Sequence, residues 1–259
     1  MTAVTRSLEE TLVRLRLDGR KAFVPYVMAE LPGVDGGFLR SLAGAGADAI
    51  EVGVAFSDPV MDGPVIQEAA RRALAAGATP GGALELLREA ALEIPVVLMS
   101  YLNPILAFPM DRFLSEAAGA GVVGVIVPDL PVDEAEGWIG GCREAGIAPV
   151  FLAAPNSGPD RLRRIVEASA GFVYCVATLG VTGSRDRLSG SARSVVEALR
   201  PLTERPLLVG VGISTPEQAG EACRFADGVV VGSGLVEPIL RGDTAEALRR
   251  AEAFRTACR

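Results

Sequence analysis

Glu51 stands inside the run A-D-A-I-E-V-G-V, and Asp62 follows eleven positions later, beyond the breaker-rich stretch S-D-P-V-M. A charge within an apolar strand is costly, so Glu51 needs a chemical reason for its position. Held at the end of a buried strand it should titrate high, because desolvation disfavours the charged form, and so serve as a proton donor or acceptor near neutral pH. Asp62, on a loop expected to be wetter, should stay ionised. Two carboxylates in unlike environments with a turn between them can divide acid and base roles in one pocket. The competing reading is structural, a strand glutamate paired with an arginine elsewhere.

The rest of the composition narrows what these carboxylates can work with. The chain has no histidine, and Lys21 is its only lysine. A Ser-His-Asp triad, a histidine-ligated metal and a histidine proton shuttle are excluded, and Lys21 alone could form a Schiff base. Cys142, Cys175, Cys223 and Cys258 are widely spaced with no C-x-x-C pair, which argues against a zinc site and a disulfide framework and for reduced, filler thiols. No metal and no cofactor is expected. Three late glycine-rich stretches, L-G-V-T-G-S at 179–184, V-G-V-G-I-S at 209–214 and V-G-S-G at 231–234, could present backbone N–H groups to an anion such as phosphate, the last of them opening a helix at Leu235. Glycines that merely make tight turns are the alternative.

These residues must be positioned by regular elements, and the chain of 259 residues is long enough for one large α/β domain or two small ones, with 49% apolar content. Leu8, Leu12 and Leu15 mark an amphipathic helix over 8–17, stopped by Asp18-Gly19 and placed as a barrel floor. Strands are expected at 22–29, 49–54, 94–101, 122–127, 149–153, 172–177, 206–211 and 227–231, with helical stretches such as 36–45, 66–76, 82–92 and 110–118 between them. Eight strands alternating with helices and no linker favour a single (β/α)8 TIM barrel over residues 1–259, with the extra N-terminal helix. Barrel chemistry lies where strands end, which singles out Glu51, Tyr101 with Asn103, Asp129, Asn156, Tyr174, Gly183, Gly212 and Gly232 with Ser233. A net charge of −7 and a pI near 4.9 speak against nucleic acid and anionic membranes as partners. The absence of a signal-like N-terminus or a long apolar run leads to the expectation of a cytoplasmic protein.

The segments E-V-G-V-A-F-S-D-P-V-M-D-G-P, L-M-S-Y-L-N-P-I-L, V-I-V-P-D-L-P and G-V-T-G, together with Tyr174, V-G-V-G-I-S and V-G-S-G, resemble the tryptophan synthase alpha subunit in order over almost the whole chain. The resemblance implies cleavage of indole-3-glycerol phosphate to indole and glyceraldehyde 3-phosphate, with indole passed to a PLP-dependent beta subunit in an alpha2beta2 heterotetramer. It implies Glu51 as general acid/base and Asp62 as partner of the indole N–H. By the same matching Gly183, Gly212, Gly232 and Ser233 bind phosphate, and Tyr26, Tyr101, Leu152, Tyr174 and Thr182 line the indole pocket. The chain departs from the family at Val27–Pro32, where T-A-G-D-P is usual, and at Ala55, where proline is favoured; both departures point to weakened coupling to a beta subunit. Two further readings remain beside the synthase subunit: a stand-alone lyase releasing free indole, and a silent barrel that only activates a partner.

Overall fold

The computed structural model describes residues 7–176, 185–210 and 212–259, with backbone alone for 185–189. Its centre is a parallel sheet of nine strand segments: β1 Ala22–Met28, β2 Ile50–Gly53, β3 Val96–Met99, β4 Val122–Ile126, β5 Ala148–Val150, β6 Leu152–Ala153, β7 Val173–Val176, β8 Leu207–Gly210 and β9 Gly228–Val231. Hydrogen bonding follows the order β5-β4-β3-β2-β1-β9-β8-β7-β6. The two ends of that order, β5 and β6, are halves of one run interrupted at Phe151, so eight strand positions close into a (β/α)8 barrel. The expected strand at 149–153 is therefore present but broken. Its upper half pairs with β7 and its lower half with β4.

Parallel strands covered by helices are buried on both faces, which is why they read as continuous runs of Val, Ile and Leu. All seven residues of β1 and all four of β2 are buried, the charged Glu51 included. The helix Leu8–Leu17 begins at Ser7, whose side chain accepts the Glu10 N–H at 3.1 Å. Leu8 plugs the N-terminal end of the barrel: a Cβ at Gly124 or Gly171 would come within 2.7 and 2.6 Å of its Cδ2. This helix thus forms the expected floor, with Leu8 seated on two glycines and Leu12 and Leu15 buried behind it.

Helices fall close to their expected ranges, at Gly36–Gly44, Pro64–Ala75, Pro80–Ala90 and Met110–Gly119. Two begin earlier than expected because proline occupies the first helical turn, where its missing N–H costs nothing. The short helix Leu102–Leu106 after β3 and the long final helix Thr244–Ala257 complete the periphery beyond the expected set. No described helix is long and apolar enough to cross a membrane.

Candidate active site

Glu51 lies in register between Tyr26 of β1 and Val97 of β3, and it is 4% exposed. Burial raises its carboxyl to about 8, with the neighbouring Asp62 charge adding to the effect. Its Oε2 is buried without a hydrogen-bond partner, and no arginine forms an ion pair with it among the described residues, which answers the structural alternative. Asp62 is more enclosed than its loop composition led us to expect. Burial pushes it up to about 6, opposed by a hydrogen bond from the Tyr101 hydroxyl, so it is still mainly ionised at neutral pH.

That same hydroxyl fixes the loop. Tyr101, at the end of β3, is fully buried, its oxygen accepts the Met61 N–H at 2.9 Å, and its ring packs on Phe56 with centroids 5.2 Å apart. Both flanks of the loop after β2 are therefore tied to the end of β3. The sequence reading did not find Phe56 or the Met61 amide, because a bond spanning forty positions leaves no local signal.

The chain's three tyrosines converge at this end of the barrel. Tyr26 leans across to β2, where a Cβ at Gly53 would overlap its hydroxyl; Tyr174 leans in the same way across Gly210 of β8. Each glycine lies two residues beyond the register partner of the tyrosine it accommodates. A glycine inside a strand signals such a close approach, and the G of E-V-G and of L-V-G was that signal. A Cβ at Gly232 would lie 3.5 Å from the Tyr26 ring and 3.7 Å from Ile66. Leu152, half-buried, sits beside Tyr174 in register.

Gly232 precedes the helix Ser233–Leu240, which starts at Ser233 rather than Leu235 and carries no side-chain cap. Its first N–H groups thus face the strand ends with a favourable dipole for an anion. The loop after β8 runs alongside: a Cβ at Gly234 would meet the Ser214 carbonyl at 2.9 Å. Gly212 adopts φ +91°, a left-handed conformation that favours glycine, and Gln218 shapes the loop by accepting from the Ser214 and Thr215 amides. Gly183 and Thr182 lie outside the described residues. Of the other strand-end residues, Asp129 accepts the Leu102 N–H at 2.9 Å and so caps the short helix, while Asn103 and Asn156 are exposed. Among the described residues no group of three or more cysteines, aspartates or glutamates gathers as a metal site.

A family profile described as tryptophan synthase alpha chain matches residues 12–258. The chain belongs to the tryptophan synthase alpha chain family. It is 47% identical over 228 residues to the alpha chain of Carboxydothermus hydrogenoformans, covering 86% of this chain and 85% of that one. It is 44% identical over 246 residues to that of Thermobifida fusca, covering 93% and 90%. Among solved structures, a tryptophan synthase of Mycobacterium tuberculosis superposes with a TM-score of 0.90 at 34% identity, with 97% of this chain and 98% of that chain covered. The alpha subunit of Legionella pneumophila gives 0.86 at 32%, with 97% of each covered. The chain therefore spans the family's barrel nearly end to end, and membership of the tryptophan synthase alpha family makes it a carbon–carbon lyase of tryptophan biosynthesis.

Proposed function

We propose that this barrel cleaves indole-3-glycerol phosphate by a retro-aldol reaction in which Glu51 both donates and accepts the proton. The observation that carries the reading is the pairing of a buried, largely protonated Glu51 with a largely ionised Asp62 at one mouth of the barrel. Retro-aldol cleavage needs an electron sink. Lys21 lies at the opposite end, just before β1, with its ammonium donating to the Ala226 carbonyl at 2.7 Å, so it cannot reach the strand ends as an iminium former. Indole supplies its own sink. Glu51 protonates ring C3, and the ring nitrogen becomes cationic. The resulting carboxylate then takes the proton of the side-chain hydroxyl on the carbon next to C3. That carbon becomes the aldehyde, its bond to C3 breaks, and the electron pair returns to the ring as neutral indole. One proton leaves Glu51 and one returns.

Asp62, as an anion beside the ring N–H, stabilises the positive charge that develops there. Gly212, Gly232 and Ser233, with Gly183, hold the phosphate through backbone N–H groups and the helix dipole, which suits a chain with a single, distant lysine. Tyr26, Tyr101, Leu152, Tyr174 and Thr182 form the walls around the indole. No cofactor or metal enters this scheme. A beta subunit is the proposed partner, within an alpha2beta2 assembly. Val60 and Met61 on the loop after β2, and Leu106 at the end of the short helix after β3, are exposed apolar side chains on the face such a partner would cover. Purified protein given indole-3-glycerol phosphate should release indole and glyceraldehyde 3-phosphate one to one, unaffected by EDTA or by borohydride. Loss of activity to EDTA, or a borohydride-trapped adduct on Lys21, would refute the scheme.

A further inference from the structure

The Tyr26 hydroxyl is buried beside Glu51, and it too has no hydrogen-bond partner. Two buried polar atoms, one a hydroxyl able to donate and one a carboxyl oxygen able to accept, thus belong to register-paired residues without bonding each other. A side chain that only lined an aromatic ring would need no oxygen there, since phenylalanine fills the same volume without burying an unsatisfied group. The complement of a donor beside an acceptor is a group that both accepts and donates. In the proposed substrate the indole N–H only donates and a phosphate dianion only accepts, so the side-chain hydroxyls alone fit.

We infer that Tyr26 O–H and Glu51 Oε2 together form a receptor for one hydroxyl of the substrate's glycerol side chain. The inference deepens the lyase reading and rests on it. Glu51 accepts the hydroxyl's hydrogen and Tyr26 donates to its oxygen, so the hydroxyl that must lose a proton is held with that proton aimed at the base. Tyr26 also continues to donate to the oxygen as it becomes the aldehyde carbonyl. Gly53 is required for this, because a Cβ there would occupy the position of the Tyr26 hydroxyl. The device predicts discrimination between the substrate and its side-chain-deoxy counterpart, 3-(indol-3-yl)propyl phosphate, which keeps the ring and the phosphate.

The test compares wild type with Tyr26→Phe, a change that removes one oxygen and keeps the ring. Steady-state cleavage of indole-3-glycerol phosphate is measured beside calorimetric binding of the deoxy compound. The expected result is a fall in kcat/KM of about ten- to a hundredfold with the Kd of the deoxy compound within about twofold of wild type. Equal losses for both compounds would make Tyr26 a packing residue and overturn the inference. No change in either would show that the hydroxyl meets only water, and would overturn it as well. Wild-type protein that neither cleaves the substrate nor binds the deoxy compound would instead overturn the lyase reading itself, and the inference with it.

Discussion

Glu51 is a residue the fold would be more stable without. Its carboxyl moves from an ordinary 4.5 to about 8 on folding, mainly through burial. Below about 4.5 it is protonated in both folded and unfolded chains. Between 4.5 and 8 the folded protein holds a proton that the unfolded chain releases, so this group's contribution to stability falls as pH rises and its penalty is complete above about 8. Glu51→Gln has no such penalty. The variant should therefore melt higher than wild type, with its advantage larger at pH 8.5 than at pH 5.5 by at least about 2 °C, given roughly 2–4 °C per kcal/mol for a chain of this size. The check is a pair of thermal melts at each pH, and an advantage independent of pH would deny that Glu51 is buried as an acid. This burial was legible in the sequence, because a lone charge in A-I-E-V-G has few explanations. The enclosure of Asp62 was not, since it depends on Tyr101, which arrives from another strand.

Between β2 and the helix Pro64–Ala75, the loop carries Asp62 and is latched by one phenol. Tyr101→Phe removes the acceptor for the Met61 N–H and the donor to Asp62 while keeping the ring against Phe56. The Met61 amide should then exchange with deuterium at least about fivefold faster, as expected when a bond worth roughly 1 kcal/mol or more is lost, and kcat should fall through the misplaced Asp62. Unchanged exchange at Met61 would mean that the loop is held by other contacts. A second loop shows how far composition could be read. The departure from the family pattern at Val27–Pro32 points to altered coupling with a partner, and within this chain Met28, Ala29 and Leu31 are buried. Glu30, at φ +56°, turns its carboxylate back to accept the Thr79 N–H at 2.9 Å beside the start of the helix Pro80–Ala90. The departure is absorbed inside the chain, where a carboxylate at a helix N-terminus is favourable.

At the scale of the molecule, the barrel was legible because parallel strands covered on both faces are apolar throughout and are punctuated by glycine, proline and aspartate at their ends. The break at Phe151 was not, since an apolar residue within an apolar run gives no local sign of it, whereas the final helix carries ordinary signals in its Asp243 cap and its Ala, Leu, Glu and Arg content. Weakened partner coupling is proposed from the changed loop after β1 and from Ala55, where the chain lacks a proline that would restrict the loop before docking. Titration with a beta subunit should raise the cleavage rate by less than about two orders of magnitude, whereas a larger rise at sub-micromolar affinity would restore ordinary coupling. The most direct test of the central claim is the pH profile of kcat/KM for indole-3-glycerol phosphate in wild type and Glu51→Gln. With Asp62 ionised and Glu51 protonated in the active form, the wild-type profile should rise through about 6 and fall through about 8, and the variant should lose at least about a hundredfold at the optimum. Near-normal turnover in Glu51→Gln, or a wild-type profile still rising at pH 9, would contradict the account.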